Sequence, residues 1–179
     1  MKKFNRINRK VVYEGKILDF CEDEIVTSKG NNVKWDYLHH KGAAAIVPVM
    51  DDGKILMVRQ WRNTIEDFAL EIPAGAKDTE DEPTLKTATR ELEEETGYKA
   101  KDIVFLQTLV PAIAYSGEII DIYVAFNLMP GRQNFDQDED IELEAYEPQE
   151  LIDKIMNNEI TDAKTVAAIT TYVLKYKNQ

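Results

Sequence analysis

A chain of 179 residues that is 44% hydrophobic carries enough apolar mass for one ordinary core, which excludes a disordered protein. Its 33 acidic residues against 22 basic ones leave a net charge of -11, which argues against a general nucleic-acid or anionic-membrane binder. The longest apolar stretch, residues 42–50, is far too short to cross a bilayer, residues 1–10 lack the apolar centre of a signal peptide, and a single cysteine, Cys21, excludes an intrachain disulfide and a cysteine-based zinc site, so a soluble cytoplasmic protein is expected.

The first half alternates β-rich runs with turn signals. Residues 10–18 and 21–40 read as strands, with a hairpin turn at residues 29–32. Residues 42–62 read as a second hairpin closed across Asp51, Asp52 and Gly53, and residues 67–76 as a strand ended by Pro73 and Gly75. From Pro83 to Thr96 the period becomes helical. Asp81 or Glu82 is placed to cap the start, Pro83 suits the first turn, and Gly97 suits the left-handed position beyond the end. Leu85, Ala88, Leu92 and Thr96 form its apolar stripe. Two further strands follow, at residues 102–110 and 118–128, then an acidic segment at 134–148 and two closing helices at 148–158 and 162–176. Residues 1–40 divide from 41–179 as a small strand region of their own.

Glu91, Glu93, Glu94 and Glu95 crowd one turn of the predicted helix. Glu91, Glu94 and Glu95 fall within an arc of about 100°, and like charges at these spacings each cost about 0.2 to 0.5 kcal/mol. A hard oxygen surface of this kind suits Mg²⁺ or Mn²⁺ better than zinc, and magnesium commonly shares its coordination with substrate phosphates. The competing reading is a solvated face whose charges pair with Lys86, Arg90 and Lys99.

The wider pattern resembles the Nudix hydrolase family, whose box runs G-x5-E-x7-R-E-U-x-E-E-x-G-U with U bulky and apolar or aromatic. Gly75, Glu82, Arg90, Glu91, Leu92, Glu94, Glu95, Gly97 and Tyr98 stand at matching places, except that six residues rather than five separate Gly75 from Glu82. The resemblance implies an α+β fold, an α/β/α sandwich around a mixed, curved β-sheet with an antiparallel strand region before it. It also implies metal ligation by Glu91, Glu95 and the Ala74 carbonyl, with Glu94 a further ligand or a proton acceptor. Arg90 and Glu82 would support these carboxylates, and Mg²⁺ or Mn²⁺ would be the cofactor.

Over nearly the whole chain the arrangement is similar to the ADP-ribose and nucleotide-sugar pyrophosphatase branch. That branch implies hydrolysis of ADP-ribose or a related nucleoside diphosphate sugar to a nucleoside monophosphate and a sugar phosphate. It implies a homodimer built through the early strands, Arg62 near the substrate phosphates, and Glu139 as base or extra metal ligand. Trp35, Trp61 and Tyr115 are candidates to stack on a base or ribose, although each aromatic alone is more often a packing residue. The nearest proline after the box is Pro111 where the branch has its marker near Ile113, and Gln137 stands where a glutamate is common, so another sugar nucleotide stays open as substrate. Hydrolysis of a nucleoside triphosphate or dinucleotide, and ligand sensing without cleavage, are the alternatives.

Overall fold

The computed structural model describes residues 2–134 and 140–177. It falls into two compact units, Met1–Gly42 with Val110–Ile119, and Ala43–Leu109 with Ile120–Gln179.

The first unit is an antiparallel sheet in the order β1 (Asn5–Glu14), β2 (Asp19–Val26), β3 (Asn32–His39). Central β2 buries Cys21, Asp23 and Ile25 in strict alternation, as a strand with one covered face should. The buried acid is held by Arg9, whose guanidinium donates two hydrogen bonds of 2.6 Å to Asp23 and lies 3.5 Å from the Tyr37 ring centroid. The 110–119 segment docks on β3, with Leu38 N–H donating to the Tyr115 carbonyl and Gly117 N–H to that of Leu38. A side chain at Gly117 would collide with the Tyr37 hydroxyl, so the segment lies against the strand only because no Cβ is there.

The second unit contains two sheets. One has the order β7 (Ala74–Ala76), β4 (Ala43–Pro48), β9 (Ile120–Pro130), β8 (Tyr98–Leu109), with β4 and β9 parallel and the other pairs antiparallel. The other has the order β10 (Ile141–Tyr146), β5 (Ile55–Arg62), β6 (Asp67–Glu71). Every residue of β4 is buried, so its two faces meet different helices. Ala44 and Ile46, with Tyr123 and Ala125 of β9, pack on Ala88 and Leu92 of α1 (Thr84–Thr96). Ala43, Ala45 and Val47 face the other way with Ile122 and Val124, into a core shared with Leu151 of α2 (Pro148–Met156) and Ala168, Ile169 and Tyr172 of α3 (Ala163–Tyr176). Helices on both faces of a mixed sheet give the α/β/α arrangement expected from the sequence.

Several local expectations need correction. β1 begins at Asn5 and the chain turns at Gly15, where a Cβ would strike the Leu18 carbonyl, so the run 10–18 is the end of one strand and the turn that leads to the next at Asp19. The turn at Asp51–Gly53 exists, with Gly53 at φ 87°, yet β4 and β5 belong to different sheets and share only the Val49–Ile55 bridge. The run 67–76 is two strands, because Pro73 ends one and redirects the chain. β10 lies inside what read as an acidic segment; Ile141 is buried and Glu142 exposed, while Glu144 is partly buried and paired with Arg59. Leu85 is 46% exposed, and the buried face of α1 includes Thr87, Glu91 and Glu95 instead. Pro83 occupies the N-cap position with no side-chain cap, so neither Asp81 nor Glu82 serves there, while Gly97 takes φ 73° and donates to the Glu93 carbonyl as expected.

A buried ionic cluster ties β5, β6 and the start of α3. Glu71, 2% exposed, accepts hydrogen bonds from Arg62 Nε at 2.6 Å and Nη2 at 2.7 Å and pairs with Lys164, which also reaches Asp162 at 3.0 Å. Asp162 caps α3 through the Thr165 N–H, and the Thr165 hydroxyl both donates to Asp162 and accepts from Ile72 N–H. Burial alone would raise the Glu71 carboxyl, but the Arg62 hydrogen bonds and the two cations more than offset it and hold it below the usual carboxylate range.

Two stability outcomes follow. Ile169→Ala, opening a void in a fully buried site, is expected to cost about 2–5 kcal/mol in urea unfolding. Glu71→Gln removes the anion shared by Arg62 and Lys164, leaving Lys164 only Asp162, and is expected to cost about 3 kcal/mol at pH 7. The folded Glu71 value is the lower one, so its contribution is present above the ordinary carboxylate range and lost as pH falls through the depressed value. The gap between wild type and Glu71→Gln should therefore narrow in unfolding curves taken toward pH 3.

Candidate active site

The acidic face of α1 is turned inward. Glu91 and Glu95 are only 8% and 3% exposed, whereas Glu94 is half-buried. Burying two carboxylates one turn apart demands compensation, and strand β7 supplies part of it. Glu95 Oε2 accepts from Ala74 N–H at 3.1 Å, and the Glu91 carboxylate lies against Gly75 so closely that a Cβ there would overlap it. Gly75 thus makes room for the close approach of a side chain, and a Cβ there would push the Glu91 carboxylate aside. The extra residue between Gly75 and Glu82 is absorbed in the loop before α1, which leaves this contact intact.

Arg90 supplies the charge. Its Nη1 lies 2.7 Å from Glu91 Oε1 and 2.9 Å from Glu94 Oε2, and its Nη2 donates to the Ala76 carbonyl at 3.0 Å. One guanidinium therefore ties two box carboxylates to the end of β7. Burial works to lower its pKa, yet the surrounding Glu91, Glu94 and Asp78 charges leave it raised, so it stays a fixed cation. Glu82 pairs with Lys86 at 2.9 Å and accepts from Asp78 N–H at 2.8 Å and the Thr87 hydroxyl at 3.0 Å, bonds that bring its carboxyl down to about 2. Those contacts brace the loop onto the first turn of the helix, and Asp78 in turn lies 3.9 Å from Arg90.

Arg62 is committed to Glu71, whose hydrogen bonds raise its pKa first, with the Glu95 and Asp162 charges adding to the rise. Its guanidinium therefore sits in the field of the box acids while already bound on one edge. Trp61 is half exposed and stacks edge-on against Phe68, with centroids 5.6 Å apart. Trp35 and Tyr115 belong to the first unit, where with Lys34, Asp36 and Ala114 they line a cleft of about 460 Å³. Glu139 and Gln137 lie outside the described residues.

Among the described residues no three His, Cys, Asp or Glu side chains are already gathered as a closed metal cage. The donor set nonetheless fits a hard dication. Glu91 and Glu95 offer carboxylate oxygens and no soft ligand, and the missing Cβ of Gly75 keeps the space beside Glu91 clear for them. Two residues of this neighbourhood escaped the sequence reading. Glu71 could have been suspected as an acid inside an apolar strand, which needs a buried partner. Lys164 is a cation in the first turn of a helix, against the macrodipole, and such a placement signals an acidic neighbour.

The family model described as NUDIX domain matches residues 39–169. An ADP-ribose pyrophosphatase of Bacillus subtilis (strain 168) is 33% identical over 171 residues, 94% of this chain and 92% of that protein. A methanol dehydrogenase activator of Bacillus methanolicus is 32% identical over 165 residues, 91% of this chain and 89% of that one. In a crystal structure of an ADP compounds hydrolase the same fold is present, with a TM-score of 0.87 at 24% identity over 100% of this chain and 97% of that chain. The domain match takes in every element from β4 through α2 and reaches into α3, and on that extent the chain belongs to the Nudix family.

Proposed function

We propose that this Nudix hydrolase is a divalent-metal-dependent pyrophosphohydrolase that splits the diphosphate of ADP-ribose, or a closely related nucleoside diphosphate sugar, into a nucleoside monophosphate and a sugar phosphate. The observation that carries this reading is the buried pair Glu91 and Glu95, pressed onto a strand whose glycine makes room for it. Similarity to the Bacillus subtilis pyrophosphatase over nearly both full lengths supports the substrate class. The Bacillus methanolicus relative, scarcely less similar, bears a different name, so the substrate is a matter for direct assay.

In this reading Glu91 and Glu95 hold Mg²⁺ or Mn²⁺, with Glu94 and the Ala74 carbonyl as further donors. When bound, the dication neutralises charge developing on the diphosphate and makes a neighbouring water more acidic. Arg90 keeps Glu91 and Glu94 aimed while the site is charged, the orienting task such ligands require. Arg62, held by Glu71 on one edge, has donors left to present to a phosphate oxygen. A carboxylate takes the proton of the attacking water; Glu94, the most exposed of the three, and Glu139 are the candidates. Trp35, Trp61 and Tyr115 offer flat surfaces for the nucleoside.

We further infer a homodimer. β1 exposes Ile7, Val11, Val12 and Tyr13, each more than half exposed, and a run of apolar side chains on one strand of a small sheet is suited to a second copy of the chain. No helix among the described residues is long and apolar enough to cross a membrane, and the strongly negative charge disfavours nucleic acid as a partner.

With Mg²⁺ and a panel of ADP-ribose, ADP-glucose, GDP-mannose and 8-oxo-dGTP, the products expected are AMP and ribose 5-phosphate at the highest rate, resolved by anion-exchange chromatography. A strong preference for 8-oxo-dGTP would overturn the substrate class. Glu95→Gln should cut turnover by about two orders of magnitude or more at saturating Mg²⁺ while circular dichroism stays unchanged. Gly75→Ala should weaken metal affinity and turnover, because its methyl displaces the Glu91 carboxylate; wild-type values in that variant would show that the close approach of Glu91 to β7 is not needed for activity.

A further inference from the structure

The end of α1 poses an electrostatic problem. Its last turn carries Glu93, Glu94 and Glu95 and no basic residue, at the pole where the helix macrodipole is already negative and where the carbonyls have no partner inside the helix. Gly97 N–H satisfies the Glu93 carbonyl. The carbonyls of Glu94, Glu95 and Gly97 are met by one short stretch of chain following β9. Asn134 N–H donates to the Glu94 carbonyl at 3.0 Å, the Gln133 side-chain amide to the Glu95 carbonyl at 2.9 Å, and Gly131 N–H to the Gly97 carbonyl at 2.7 Å. Arg132 N–H reaches the Glu93 carboxylate at 3.3 Å. Four consecutive residues thus address this one helix end, and the two carbonyls nearest the site belong to Glu94 and Glu95 themselves.

We propose that residues 131–134 form a clamp that fixes the backbone of the metal-binding turn, and that Gln133 is a positioning residue for the Nudix site, acting through the Glu95 carbonyl. This rests on the metal-binding reading of Glu91 and Glu95. The backbone donors of the clamp survive substitution, whereas Gln133 contributes its bond through a side chain, so it is the member whose loss can be read. Its Cβ packs where a Cβ on Gly97 would lie 3.4 Å away, so the amide is delivered from a stem seated on the left-handed turn. Glu95 is therefore fixed at two points, its carboxylate by Ala74 N–H and its carbonyl by Gln133. Freeing the second lets the last turn fray and loosens the first.

The test is direct Mn²⁺ binding, read by electron paramagnetic resonance of the free ion, on full-length Gln133→Met and Gln133→Glu. Met keeps the stem and removes the donor. Glu keeps the size, removes the donor and adds a negative charge. The expected result is Mn²⁺ affinity weakened about 5- to 10-fold in both, with kcat falling more than KM rises and the metal-free melting temperature within a few degrees of wild type. Tighter Mn²⁺ binding in Gln133→Glu would show that only net charge matters, and wild-type affinity in Gln133→Met would show that the bond does not position the site; either overturns the clamp. Glu95→Gln separates the two levels. If it binds Mn²⁺ like wild type, the metal reading itself fails, whereas loss of binding there with normal Gln133→Met leaves the metal reading standing and removes the clamp alone.

Discussion

The contact between the Gly75 backbone and the Glu91 carboxylate governs how the catalytic unit is put together. Two acids buried on one helical face can be accommodated only if something with N–H groups and no bulk lies against them. β7 is that element. It is three residues long, it pairs with β4, and β4 in turn carries Ala44 and Ile46, on which α1 rests. Sheet order, glycine placement and helix packing therefore converge on one distance.

Charge around α1 is handled in three separate places. Lys86 neutralises Glu82 at the front of the helix, Arg90 spans Glu91 and Glu94 in the middle, and neutral backbone and amide donors meet the carbonyls at the back. The carboxylate of Glu95 accepts from a neutral N–H, and the Arg62 charge is near enough to feel it. The second cluster, Arg62, Glu71, Lys164 and Asp162, holds two cations beside the same strand. On the proposed function, a site that takes up a dication and an anionic diphosphate needs both signs fixed in advance, since reorienting them during reaction would cost more than holding them. Covalent tethering to secondary structure does that here, with each charge rooted in a strand or a helix.

Much of this architecture could be read in the chain. The period change at Pro83, the left-handed position of Gly97, the three helices and the family box all rest on local signals that tertiary packing did not overrule. The strand partners were harder. β4 and β5 are joined by a turn that looks like a hairpin, and only long-range pairing of β4 with β9 and of β5 with β6 and β10 tells them apart. β10 was hidden because its acids read as loop, and Leu85 was misplaced because the true buried face of α1 includes Thr87, Glu91, Glu95 and Thr96, which no hydrophobic pattern reports. Gln133 gives no local signal at all, since its significance lies in what it meets 38 positions earlier.

Ala44 of β4 and Ala88 of α1 are both fully enclosed in the layer between sheet and helix, so in that layer the gap is filled partly by methyl groups. Such a layer has no slack: one added methylene must lift α1 or shear it along its axis. The glutamates ride on that same rigid cylinder, and a shift of a few tenths of an ångström would be transmitted to them undiminished. Natural variation at these two alanines should accordingly be filtered by chemistry before it is filtered by folding, which makes a pair of unremarkable small residues the gauge blocks of the reaction centre.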